Sequence, residues 1–62
     1  MVLERKLVVL RQKLLDAQRG LILQAAESET VPPTGALRQI ADLESAIVAT
    51  EAILEEERKV AE

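Results

Sequence analysis

Apolar residues recur through the first half of the chain at Leu3, Leu7, Leu10, Leu14, Ala17 and Leu21, in alternating steps of four and three. That alternation keeps side chains on one helical face, so it predicts a helix over about residues 2–28 with a seam for a neighbouring helix. The second half repeats the pattern at Ala36, Ile40, Leu43, Ile47, Thr50, Leu54 and Ala61, which predicts a second helix over about residues 35–61. The intervening turn, about residues 29–34, holds both prolines, and a proline stops a helix because it lacks an N–H and clashes with the preceding turn. Thr34 offers a hydroxyl to the free N–H groups that open the second helix near it, so Pro32, Pro33, Thr34 and Gly35 read as a structural turn rather than a recognition loop. A short connection makes the helices antiparallel neighbours. The expectation is an all-α chain, one domain over residues 1–62, folded as an antiparallel two-helix hairpin.

Within the hairpin, Leu7, Leu10, Leu14 and Leu21 are expected to pack on Ile40, Leu43, Ile47 and Leu54. Further apolar stripes run beside the seams, at Val8, Leu15 and Ile22 on the first helix and at Ala46, Ile53 and Val60 on the second. Two helices facing each other cover one stripe apiece, and a chain of this length is near the limit at which a single core suffices. The second stripes therefore predict association, as a dimeric four-helix bundle or a higher helical assembly, with the chain itself as first partner and another helical protein as the alternative. Thr50 in the seam could fix register or oligomeric state. Back-bonding of its hydroxyl to its own helix is the reading adopted.

Charge adds an orientation. Residues 1–26 carry Arg5, Lys6, Arg11, Lys13 and Arg19 against Glu4 and Asp16, whereas residues 36–62 carry seven acids against three bases. The basic start of the first helix and the Glu55, Glu56, Glu57 and Glu62 end of the second each oppose their own helix dipole, and folding brings them together. Arg5, Lys6, Lys13 and Arg19, with Gln12, also share an outward face that could meet nucleic-acid phosphates. The net charge of -3 and the lack of aromatic side chains to stack bases point instead to a solvated face.

Composition removes most chemistry. There is no His, Cys, Trp, Tyr or Phe, so imidazole and thiolate metal sites, cysteine nucleophiles and Ser-His pairs are excluded. Glu51 with Glu55, Glu56 and Glu57 reads as a solvated acidic helix end rather than a carboxylate metal cluster. No enzyme activity and no cofactor are expected. The longest apolar run, Leu7-Val8-Val9-Leu10, falls far short of the roughly 20 residues that cross a bilayer. Arg11 follows it too soon for a secretory leader, so a soluble, cytoplasmic protein without membrane contact is expected.

Pro33-Thr34-Gly35, then Arg38, then an amphipathic helix ending in Glu57-Arg58-Lys59 resembles the small Rop-like helical-hairpin family encoded in bacterial nitrogen-fixation operons. That resemblance spans the whole chain and implies two antiparallel helices that associate, in a role supporting nitrogenase maturation or regulation. A tryptophan common after that family's turn is Ala36 here. A second, shorter resemblance lies in Leu43-Glu44-Ser45-Ala46-Ile47, which is similar to a helix of the hairpin co-chaperones that escort type III secretion needle subunits. It implies a monomer offering its apolar stripe to a different helical protein. A Rop-like hairpin would also allow RNA binding through the basic face.

Overall fold

The computed structural model describes residues 2–61, apart from the side chain of Ala61. The seam position assigned to Ala61 and the acid Glu62 lie outside the described residues. Two helices, α1 (Val2–Glu27) and α2 (Thr34–Ala61), run antiparallel as a hairpin of 49 × 14 × 13 Å. No strand occurs among the described residues, and no helix there is long and apolar enough to cross a membrane.

The connection ends α1 one residue earlier than expected, and side-chain competition explains it. Thr30 N–H donates to Ser28 Oγ at 3.3 Å, and the two hydroxyls lie 3.2 Å apart. A serine that bonds backbone two residues ahead offers the chain an alternative to helix. Ser28 N–H meanwhile reaches back three residues to the Ala25 carbonyl at 3.2 Å, tightening the last turn.

The start of α2 corrects the expected cap. Leu37 N–H donates to the Pro33 carbonyl at 3.1 Å, so Pro33 occupies the cap position and Thr34 is the first helical residue, not the end of the turn. Pro33 suits the place because it has no N–H of its own to satisfy. Gly35 lies inside the first turn of α2 with no left-handed backbone, so the turn makes no conformational demand for glycine there.

On α2 the seam falls where the spacing put it. Ile47 and Leu54 are 3% and 5% exposed, and Thr50 between them is 7% exposed. Ala36, Ile40 and Leu43 continue the same face, half-buried. Thr50 Oγ1 donates to the Ala46 carbonyl at 2.7 Å, the back-bond expected of it, so the buried hydroxyl has a partner.

On α1 the seam is rotated relative to expectation. Leu7, Leu14 and Leu21 face α2 and are half-buried, but Leu10, assigned to the intra-hairpin core, is 44% exposed. Leu3 and Ala17 are exposed with it. The positions that alternate with Leu7, Leu14 and Leu21 are instead Glu4, Arg11, Gln18 and Ala25, all half-buried. Steps of four and three fit both sets, since they share the three leucines and differ by one residue elsewhere. Polar groups across the gap decide between them.

Candidate functional site

Among the described residues, three polar pairs bridge the helices. Arg58 Nε donates to Glu4 Oε1 at 3.3 Å, and Arg11 Nε donates to Glu51 Oε2 at 2.9 Å. Gln18 Nε2 donates to Glu44 Oε1 at 2.9 Å and reaches the Ile40 carbonyl at 3.4 Å. Their members ascend α1 in steps of seven and descend α2 in steps of seven, so each pair's numbers sum to 62. One register therefore holds along the hairpin, bringing Leu7 nearly level with Leu54 and Leu14 nearly level with Ile47. Solvent-exposed ion pairs of this kind contribute about 0–1 kcal/mol each, which specifies alignment more than it adds stability. Turning Leu10 inward would move Arg11 off this line, and Arg11 loses little by facing the seam because its stem packs while its head reaches Glu51.

The dipole argument is met only in part. Arg11 with Glu51 has the expected sense, base on α1 and acid on α2. At the open end the pair is reversed, with Glu4 in the first turn of α1 and Arg58 in the last turn of α2. Each of those charges suits its own helix end.

The seam divides the rest of the surface into two unlike flanks. Arg11 shares a groove with Glu51 and Arg58, and Leu15 and Ile22 share the adjoining one with Gln18. Ala17 and Leu21 open on the other side, in a groove with Gln39 and Leu43, and Gln24 and Gln39 line the groove nearer the turn. Residues seven apart on an unbroken helix keep the same side. The first flank is thus Val8, Leu15 and Ile22 beside Leu37, Glu44, Glu51 and Arg58, apolar on α1 and, past Leu37, charged on α2. The second is Leu3, Leu10 and Ala17 beside Ala46, Ile53 and Val60, apolar on both helices.

This arrangement separates the two stripes expected to meet a second chain. Val8, Leu15 and Ile22 do not join Ala46, Ile53 and Val60; the two stripes lie on opposite flanks. Val8 and its repeats follow the seam leucines by one residue, whereas Ala46 and its repeats precede the α2 seam by one. In an antiparallel pair, opposite steps away from the seam lead to opposite sides. None of the six is buried in the hairpin: Val8, Ile22, Ile53 and Val60 are exposed, Val60 to 79%, and Leu15 and Ala46 are half-buried.

No protein-family model, curated protein or solved structure matches this chain. Its surfaces therefore have to be read from their own chemistry.

Arg5, Lys6, Lys13 and Arg19 are all exposed on the outer side of α1. They do not form one stripe, because Val2, Val9, Asp16 and Leu23 run between the arginines and the lysines, and Asp16 accepts from Gln12 Nε2 at 2.9 Å. Pro33 and Thr34 are exposed at the turn with Gly35, while Pro32 is half-buried against the start of α2. Glu55 and Glu56 are exposed, and Glu57 is half-buried at a seam position.

The residues that sequence reasoning passed over are Glu4, Gln18 and Arg58, together with the placement of Arg11 in the seam. A signal for them was present: opposite or complementary polar residues recur at seven-residue spacing on both halves, with a constant sum of positions. A search for apolar spacing alone does not register it.

Proposed function

We propose that this chain is a non-enzymatic protein-interaction module whose working form is a self-associated hairpin. The observation that carries the reading is the imbalance of apolar surface. Ile47 and Leu54 are the buried apolar side chains, while twelve large apolar residues among those described are at least 41% exposed. A monomer of this size has little core to offset the conformational entropy of two long helices, and covering exposed apolar area is worth roughly 25 cal/mol per Å². Grooves on the hairpin are shallow and are lined by aliphatic and ordinary charged side chains, a surface suited to helix packing rather than to positioning a substrate.

Light scattering after size exclusion, repeated across a hundredfold dilution, tests this reading. It expects a mass of twice the 6.8 kDa chain, or a small multiple, that persists to low micromolar concentration. A mass of one chain throughout would refute self-association and leave the apolar surface to a different protein. A role as accessory protein in nitrogen fixation rests only on the resemblance at Pro33-Thr34-Gly35, Arg38 and Glu57-Arg58-Lys59 and is a separate question.

A further inference from the structure

The flank that is apolar on both helices is also graded along its length. The register set by the polar pairs brings Leu3 level with Val60, Leu10 with Ile53, Ala17 with Ala46, and Gln24 with Gln39. Large aliphatic side chains thus occupy the open end, alanines the middle, and glutamines the end near the turn. We propose that a second copy of this chain covers this flank with the two hairpins pointing the same way, both turns at one end and the twofold axis parallel to the helices. The proposal deepens the self-association reading and rests on it.

Three observations select this occupant and this direction. The first is the gradient. With the turns together, α1 of each copy lies on α2 of the other, and Leu3, Leu10, Ile53 and Val60 of both copies meet in one cluster. Ala17 and Ala46 then allow close approach at mid-length, and glutamine meets glutamine near the turns. The reverse direction would lay Leu3 and Val60 on the glutamine end, and Leu10 and Ile53 on the alanines, setting amides against aliphatic surface without partners and dividing the aliphatic cluster.

The second observation is charge. The rim beside this flank carries Lys6 and Lys13 on α1 and Asp42 and Glu56 on α2. Parallel docking sets Lys6 of one copy beside Glu56 of the second copy, twice by symmetry, and puts no like charges opposite each other along the rim. It also lays the basic half of α1 on the acidic half of α2, whereas the reverse direction lays α1 on α1 and α2 on α2. Such complementarity fixes direction more than it adds affinity.

The third is extent. A flank 49 Å long and 14 Å across has a footprint of roughly 700 Å², near the roughly 800 Å² per partner of a standard specific interface. The opposite flank is a poorer candidate because Glu44, Glu51 and Arg58 line it, and a second chain there would have to strip their water.

Pulsed dipolar spectroscopy of a nitroxide on Val31→Cys tests the direction, since Val31 is 82% exposed in the connection and the chain has no other cysteine. Docking with both turns at one end expects a label separation under about 25 Å, given the roughly 10 Å between packed helices. A separation approaching the 49 Å length of the hairpin would overturn it. Glu29→Cys, also exposed in the connection, repeats the test if the first label perturbs the turn. A dimeric mass with a long separation would refute the docking direction alone. A monomeric mass at every concentration would refute self-association and this proposal with it.

Discussion

Reversing the charges of Arg11 and Glu51, singly and together, is the sharpest probe of how the helices are aligned. The pair is 2.9 Å apart, with side chains 38% and 46% exposed, so water screens it substantially. Two unit charges near 4 Å interact by about 1 kcal/mol in bulk water and about 4 kcal/mol at a surface-like dielectric. Side-chain ordering and salt reduce the net attraction to about 0.2–1 kcal/mol. Arg11→Glu alone replaces attraction by repulsion and should cost about 1–2 kcal/mol, and Glu51→Arg should cost about the same. The double reversal restores attraction and should return stability to within about 0.5 kcal/mol of the parent. For a chain of this size about 1 kcal/mol moves the melting midpoint by roughly 4–8 °C, well within reach of helix signal by circular dichroism. Raising salt to about 1 M shortens the screening length to about 3 Å and should erase most of the difference between single and double variants. Arg11 and Glu51 lie away from the proposed docking flank, so the cycle reports alignment within the hairpin. Single-variant costs that simply add in the double would refute the pairing and the register built on it.

Other expectations follow from the same geometry. Leu54→Ala, at a 5% exposed seam position, should cost about 2–3 kcal/mol and leave little folded chain at 37 °C by circular dichroism, since large-to-small core changes cost about 2–5 kcal/mol. Gly20→Ala should raise the melting midpoint by about 4–8 °C, because Gly20 is mid-helix with ordinary backbone and nothing within 4 Å of the added methyl. Thr50→Val should leave the solution mass unchanged and shift stability by under about 1 kcal/mol, since the hydroxyl bonds only its own helix; a changed mass would show that Thr50 sets the assembly.

The hairpin, its turn and the α2 face were legible because each has a strong local cause. Paired prolines can only interrupt helix, and Ile40, Leu43, Ile47 and Leu54 admit one seam. The α1 face was not legible from spacing, because that helix is apolar on several sides and Leu7, Leu14 and Leu21 belong equally to two candidate seams. What separates them is tertiary, the reach of Arg11 to Glu51 and of Gln18 to Glu44. Thr34 shows a similar limit. A threonine after proline is a natural cap by composition, yet the Pro33 carbonyl holds the cap position and the hydroxyl residue becomes helical. Of the stripes beside the seams, Val8, Ile22, Ile53 and Val60 are exposed and Leu15 and Ala46 half-buried, but whether two stripes share a flank depends on helix direction and phase together.

The most direct test of the account compares the solution mass of Ile53→Glu with that of Ile22→Glu at a concentration where the parent chain is a dimer. Both residues are nearly half exposed, at 47% and 46%, so both variants should stay helical. A buried unpaired carboxylate is costly, so Ile53→Glu should fall to the mass of one chain while Ile22→Glu keeps the parent mass. A dimeric Ile53→Glu beside a monomeric Ile22→Glu would place the contact on the other flank and contradict the account.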